Sequence, residues 1–403
     1  MKSKKVAIKD ICTGIYDGPH ATPPLSDTGA IFLGISNFNN GRLDFSDIRY
    51  ISEDDFPKWT KRVIPQKNDI VFSYEATLNL YAIIPEGFRG CLGRRMALLR
   101  VDETKADYKF LYYYFYSDAW RATVNENIVL GATVDRIPLI KFPDFPVELP
   151  PLETQHRIAD ILSAYDDLIE NNQRQIKLLE EAAQRLYKEW FVNLRFPGHE
   201  NTKIVDGLPE GWQYEKLGDL VKTTSGGTPS RRKSEYYVNG NIRWIKTKEL
   251  NDRFIFETEE HITEDAVKNS SAKVLPEGAL IVAMYGATIG KIGITAAEMA
   301  CNQACCAFIS FDDMISKEYL YCWLMDNREY LVSQGKGAAQ SNLSQEMIRN
   351  FSLLCPDKKV IKNFTEIVTT MLENKRVLEN KILMLSKARD DLLPKLMSEE
   401  VEV

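Results

Sequence analysis

The sequence predicts an α/β (α+β) chain in which two similar mixed domains are separated by two long helices that pair as an antiparallel coiled coil. Three observations support this. Sequence segments recur in the same order in the two halves, each half alternates short strand-like runs with turn residues, and each half closes on a long apolar pattern that opens just after a proline.

The repeat is visible at three places. "IVFSYEAT" from Ile70 matches "IVAMYGAT" from Ile281, "FLYYYFYSD" from Phe110 parallels "YLYCWLMDN" from Tyr319, and "GATVDRI" from Gly131 parallels "GAAQSNL" from Gly337. The offset falls from about 211 to 206 along the chain, as loop insertions produce. Residues 1–150 and 211–355 therefore read as equivalent domains. Each alternates β-branched and aromatic runs ("AIFLGIS", "DIVFSY", "IRWIKT", "ALIVAMY") with Gly, Asn, Asp and Pro turns, then gives a helix-like segment near Tyr108 or Lys317. Residues 194–210 form the linker, because Pro197, Gly198, Gly207 and Pro209 break the pattern there.

Helices are predicted over 151–193 and 356–398, with a tail at 399–403; Pro151 and Pro356 stand where a helix can start. Ile158, Leu162, Tyr165, Ile169, Asn172, Ile176, Leu179, Ala183, Leu186 and Trp190 recur at alternating spacings of four and three, the signature of a helix–helix seam. Adding 206 to each gives Phe364, Val368, Met371, Lys375, Leu378, Ile382, Leu385, Arg389, Leu392 and Leu396. Asn172 interrupts the first seam, and Lys375 and Arg389 the second. The first helix leaves the first domain while the second leaves the second domain, so pairing the seams requires antiparallel helices and a pseudo-twofold repeat. A helix of 40 residues spans roughly 60 Å, which suits a spacer. The alternative, each helix packed on its own domain's core, fits a sustained seam less well.

Composition excludes several classes. The 403 residues are 44% hydrophobic and 27% charged, ordinary for a globular protein. No run approaches the roughly 18 apolar residues of a membrane span, and "MKSKKVAIKD" lacks the apolar run of a secretion signal, so no membrane role and a cytoplasmic location are expected. The net charge of −6 argues against a generally basic nucleic-acid binder, yet residues 151–193, with 5 basic and 8 acidic side chains, hold half of it. Local basic faces remain compatible with that balance. The seven cysteines include no CxxC, so buried strand thiols are expected rather than a metal site.

Catalytic signatures are missing. "GATIGKI" from Gly286 lacks the spacing and the Ser or Thr of a phosphate loop, and neither GxGxxG nor GxSxG occurs. His20, His156, His199 and His261 stand in different segments, at no ligand or base spacing. The acidic groups "SEDD" at Ser52 and "ETEEHITED" at Glu257 read as solvated surface. The chain is expected to bind rather than react.

Basic and polar residues beside aromatics and Gly turns suit DNA contact, since Arg and Lys anchor phosphates while Asn, Gln and Arg read base edges. "SGGTPSRRKSEYY", "IRWIKTKEL" and "GKGAAQSN" provide such stretches in the second repeat, and "CLGRRMALLR" in the first. The candidate DNA-binding residues are His20, Thr22, Asn37, Ser73, Tyr74, Thr77, Arg94 and Arg95 in the first repeat. In the second they are Thr228, Ser230, Arg231, Arg232, Lys233, Lys246, Lys248, Tyr285, Thr288, Lys336, Gln340 and Asn342. The other functional class compatible with this organisation is a structural or adaptor coiled-coil protein whose two domains bind other proteins.

"GGTPS" early in a repeat, "YGATIGK" in its middle, "LPPLETQHRI" at a domain-to-helix junction and "LPEGWQYEKLGDL" at the next domain's start together resemble the specificity subunit of Type I restriction-modification systems. The resemblance covers nearly the whole chain in order. It implies two target-recognition domains, each reading half of a split asymmetric site in double-stranded DNA, with the helices measuring the gap. It also implies a non-catalytic subunit that binds no cofactor itself. Two modification (methyltransferase) subunits and two restriction subunits would be its partners and would supply S-adenosylmethionine, ATP and Mg chemistry. The first repeat departs from the pattern: it has "YDGPHATPP" in place of "GGTPS", and Glu75 where the second has Gly286. The two half-sites are therefore expected to differ in sequence.

Overall fold

The computed structural model describes residues 3–130, 134–335, 342–398, 400 and 401. Contacts divide the chain into two compact units, residues 1–168 with 385–403, and residues 169–384. The division falls inside both long helices. Each unit thus holds one mixed domain, the beginning of the helix that leaves it and the end of the helix that began in the other unit.

In the first unit the principal elements are β1 (Lys4–Ala7), β2 (Cys12–Asp17), β3 (Ala30–Leu33), β4 (Tyr50–Ile51), β5 (Ile70–Ser73), β6 (Tyr81–Ile83), β7 (Gly90–Leu92) and β8 (Met96–Val101). Then come α1 (Tyr108–Tyr114), α2 (Asp118–Asn127), β9 (Pro146–Leu149) and α3 (Leu152–Tyr187). An antiparallel sheet runs β2–β8–β5–β6, a second runs β4–β3–β7 with β3 and β7 parallel, and β1 pairs with β9. All four residues of β5 are buried, because the sheet is covered on both faces. Alternate side chains therefore enter different cores: Ile70 and Phe72 pack with Phe110, Leu111 and Trp120, and Val71 packs with Leu33 and Leu92.

The start of α3 is tied to this domain by Gln155, which is 1% exposed. The Asp107 N–H donates to its Oε1 at 3.0 Å, and its Nε2 donates to the Pro150 carbonyl at 2.8 Å. Asp107 in turn caps α1 by accepting the Phe110 N–H. Ile158, Leu162 and, from the end of the last helix, Leu396 complete the same core. Asp166 on α3 accepts from Tyr113 Oη at 2.6 Å and from Arg389 Nη1 at 2.5 Å, while its carbonyl accepts from Arg42.

The second unit repeats the plan with β10 (Gln213–Lys216), β11 (Val221–Ser225), β12 (Ile242–Ile245), β13 (Arg253–Ile255), β14 (His261–Ile262), β15 (Val274–Leu275) and β16 (Leu280–Ala283). They are followed by β17 (Ile292–Thr295), β18 (Met299–Cys301), β19 (Cys305–Phe311), α4 (Lys317–Asp326), α5 (Arg328–Gln334), β20 (Ser352–Cys355) and α6 (Lys358–Met397). The sheet β11–β19–β16–β17–β13 gains a parallel edge strand relative to the first unit. The sheet β14–β12–β18–β15 again contains one parallel pair, β12 with β18, and β10 pairs with β20 as β1 does with β9. The buried strand recurs too: Leu280 and Val282 face one core, Ile281 and Ala283 the other. The matching motifs "IVFSYEAT" and "IVAMYGAT" thus occupy the same strand of equivalent sheets.

Within this unit α3 and α6 run antiparallel, since Glu180 meets Lys375 and, further along α3, Trp190 meets Phe364 at 5.9 Å between ring centroids. The helices pair with each other and also pack on the domain: Ala183, Tyr187 and Trp190 share one core with Phe364, Val368, Tyr319 and Leu320. Pairing and docking, opposed as alternatives in the sequence, occur together. No seam position on either helix is exposed. The thiol expectation needs two corrections: Cys322 is buried on α4 rather than on a strand, and Cys12 on β2 is only half-buried. Among the described residues no helix is long and apolar enough to cross a membrane.

Lys375 is 1% exposed on its side chain, and its ammonium is satisfied inside the unit. It donates to Glu180 Oε1 and to the Asp252 carbonyl at 2.6 Å each and to Tyr321 Oη at 3.1 Å. One turn on, Glu379 accepts the Phe254 N–H at 2.8 Å and lies 3.8 Å from Lys375 Nζ. Burial pushes the Glu379 carboxyl up from 4.5 to about 7, against the pull of Lys375. Between those values the folded chain holds a proton that the unfolded chain has released, so this contribution to stability falls as pH rises through the window. The shift corresponds to a loss on the order of 3 kcal/mol. In Glu379→Gln, which cannot ionise, the unfolding free energy of the chain, measured by denaturant titration from acid to neutral pH, is expected to lose the part of its slope that Glu379 supplies.

Candidate nucleic-acid interface

In the second unit the segment after β11 is drawn tight by two glycines. A Cβ on Gly226 would overlap the Cys301 carbonyl, and one on Gly227 the backbone and hydroxyl of Ser271. Trp244 on β12 donates its indole N–H to the Gly227 carbonyl at 3.0 Å. "GGTPS" is therefore a close backbone approach, and it projects Thr228, Ser230, Arg231, Arg232 and Lys233 as exposed side chains.

These cations meet the acidic segment 257–260. Arg231 reaches Glu260 at 2.6 Å and lies over the rings of Tyr237 and Trp244, 4.4 and 5.2 Å from their centroids. Lys246 donates to Glu259 at 2.7 Å and Glu260 at 2.6 Å, Lys248 pairs with Glu259, and Arg243 pairs with Glu257 at 2.6 Å. Lys246 and Lys248 together hold the Glu259 carboxyl down at about 2. The reading of "ETEEHITED" as bare solvated surface is corrected: Glu257, Glu259 and Glu260 are half-exposed or more exposed, but they order four cations of the neighbouring strand and loop. Lys233 instead donates to Tyr236 Oη at 2.9 Å. Among the described residues no carboxylate lies within ion-pair reach of Arg232.

The remaining candidates of this repeat separate. Tyr285 is exposed, whereas Thr288 donates to the Thr247 carbonyl at 2.8 Å, which brings the "YGATIGK" turn beside the Lys246–Lys248 segment. Thr228 pairs with Gln303, and Asn342 is exposed. Lys336 and Gln340 lie outside the described residues. Lys291, the lysine of the phosphate-loop look-alike, is paired with Asp252 at 2.8 Å.

In the first unit three candidates are corrected by burial. Asn37 is 3% exposed, accepts the Gly34 N–H at 2.9 Å and donates to the Asp44 and Asp47 carbonyls, so its amide is used up in shaping a loop. Ser73 is fully buried on β5 and its hydroxyl donates to the Thr77 carbonyl. Tyr74 is 5% exposed, and burial raises its phenol above the usual range. Thr77 is exposed, and His20 is exposed beside Asp17 at 3.1 Å. Thr22, Arg94 and Arg95 come together around one hollow, which also includes Arg49 and Ser36. Sequence reasoning missed Arg49 because it is a single cation in the acidic stretch "DFSDIRY". His156, His199 and His261 lie beside Asp107, Glu200 and Glu257, and among the described residues no group of three or more His, Cys, Asp or Glu could hold a metal ion.

Two units of one topology, each presenting an exposed loop with arginines beside a buried sheet, can be compared with known proteins. Residues 2–181 and 209–384 match the Type I restriction modification DNA specificity domain. The chain belongs to the family of Type I restriction-modification specificity subunits. The MjaIX specificity subunit of Methanocaldococcus jannaschii is 26% identical over 88% of this chain and 82% of its own length. The HindI specificity subunit of Haemophilus influenzae is 25% identical over 63% of this chain and 69% of its own. The crystal structure of the S subunit from M. genitalium superposes with a TM-score of 0.62 at 17% identity, covering 98% of this chain and 96% of that one, and so shares the fold. As a specificity subunit the chain is a targeting subunit rather than a catalytic one.

Glu259 and Glu260 compete with phosphate for the cations they hold, and the exposed Lys248–Glu259 pair contributes only about 0–1 kcal/mol. Their removal is expected to leave Arg231, Lys246 and Lys248 open to any duplex. In Glu259→Gln/Glu260→Gln the slope of log affinity against log salt, measured by fluorescence anisotropy on a non-specific duplex, should steepen by about one to two. A slope and an affinity both unchanged would overturn the contact of these cations with DNA.

Proposed function

We propose that this chain recognises a bipartite, asymmetric sequence in double-stranded DNA within a Type I restriction-modification complex, each domain reading one half-site. The observation that supports it best is the repetition of one plan in two units, whose main sheets share the same four-strand antiparallel order while their loops differ. The first unit has Arg49 and Arg94 without carboxylate partners among the described residues around a hollow, and the second has carboxylate-held cations beside its Gly-Gly turn. Unequal loops on equal scaffolds suit unequal half-sites.

The two long helices set the gap between half-sites and dock methyltransferase subunits in this reading. Its support lies in the exposed apolar side chains they carry within the second unit: Leu178 is 64% exposed, Val377 49% and Met384 63%. Such residues on a charged helix suit a partner's surface. Two modification and two restriction subunits are the proposed partners, in the cytoplasm. S-adenosylmethionine, ATP and Mg belong to those subunits, and the chain itself contributes binding and positioning.

The test is expression with the neighbouring methyltransferase subunit in a host free of adenine methylation, followed by genome-wide mapping of methylated adenines. A split motif with a constant gap is expected. Inserting one heptad into both helices should lengthen the gap and leave both half-sites unchanged. Methylation without any split motif would overturn the proposal.

A further inference from the structure

We infer that the hollow lined by Arg49, Arg94 and Arg95 in the first unit is a binding site for a backbone phosphate of duplex DNA. This deepens the proposed function and rests on it. The hollow holds about 360 Å³, and its lining contains three arginines, the hydroxyls of Thr22 and Ser36 and the ring of Phe32, with no acidic side chain.

The arginines are positioned by the fold. Arg94 and Arg95 form, with Gly93, the turn between β7 and β8, and the Gly93 N–H donates to the Leu33 carbonyl at 2.6 Å. That bond brings the turn beside the end of β3. Arg95 adopts a left-handed φ of 70°, and its Nε is held by Glu75 at 3.1 Å. Arg49 lies with its guanidinium 5.1 Å from the centroid of Phe32, against Gly34. A Cβ at Gly34 would overlap Arg49 Nη2, so the glycine leaves room for the guanidinium. Among the described residues no carboxylate reaches Arg49 or Arg94.

Charge decides the ligand class. Guanidiniums donate only, and hydroxyls can donate, so the lining is matched to an acceptor. Like charges gathered without a counter-charge repel one another, and an anion relieves that repulsion where a neutral base edge would not. In the second unit, Arg231, Lys246 and Lys248 already have carboxylates as counter-ions, whereas of the three arginines at the hollow only Arg95 has one. The hollow therefore suits one negative group, and along DNA that group is a phosphate.

The experiment uses the full chain purified with its methyltransferase subunit. Wild type, Arg49→Gln/Arg94→Gln and the charge-conserving Arg49→Lys/Arg94→Lys are titrated with two duplexes over a range of salt. One duplex carries the methylated motif, and the other has its first half-site scrambled. Thermal unfolding confirms that the variants fold. The glutamine variant is expected to lower the magnitude of the salt slope by about one to two on both duplexes alike, with the methylated motif unchanged and the lysine variant retaining most of the slope. An unchanged slope would overturn the site while leaving DNA recognition intact. So would a loss confined to the intact motif together with relaxed methylation at one base pair, which would mark a base reader. Binding of inorganic phosphate that duplex does not displace would mark a free-anion site and overturn the assignment to DNA. Wild type that bound neither duplex would instead overturn the parent reading.

Discussion

Much of the architecture depends on how the two long helices bury charge. Lys375 interrupts the apolar seam of α6, and in the second unit its ammonium is accommodated only because Glu180, the Asp252 carbonyl and Tyr321 converge on it. These partners come from α3, from the residue before β13 and from α4, so one cation ties the helix pair to the domain. In the first unit Asp166 has the corresponding task with Arg389, Tyr113 and Arg42. Removing one partner of such a pair typically costs about 3–5 kcal/mol, because the other remains buried without compensation. A shift of either helix by one residue would have the same effect. The polar positions therefore select a register that leucines alone would select weakly.

That register matters because neither core is complete without the end of the helix that begins in the other unit. Leu396 closes the core around Trp120, and Ala183 through Phe191 close the core around Tyr319. The sheets supply the second layer of constraint. A central strand buried on both faces must send alternate side chains into two different cores, so a slip of one residue would misplace both sets. Upon this rigid scaffold the loops that meet a ligand can vary. The glycines at 226 and 227 hold one such loop against β18, and the turn at 93–95 holds another against β3.

Electrostatics distinguish the two units more than topology does. Carboxylates sit among the cations of the second unit. An acidic strip of this kind tempers non-specific attraction to DNA, since any phosphate must compete with a carboxylate already in place. The first unit has no such strip at its hollow. The two domains can therefore divide the work of general affinity and of discrimination unequally.

Long-period information was legible in the sequence. Repeats, seam spacing and the proline-started helices depend on residue order along one element, and the helices at Leu152–Tyr187 and Lys358–Met397 follow the predicted seams closely. The alternation of β-branched runs likewise announced the strands of both sheets. Side-chain fates were not legible, because they depend on neighbours distant in the chain. Asn37, Ser73 and Tyr74 were candidates for DNA contact, yet each is buried. Glu257, Glu259 and Glu260 looked idle, yet they pair with residues 11 to 29 positions away. Arg49 carried no local signal, and only the approach of β3 to the β7–β8 turn places it beside Arg94. By itself the sequence determined the repeated architecture and the helix seams, because local periodicity encodes them. Tertiary structure decided which cations are free, because charge pairing is a property of proximity in space.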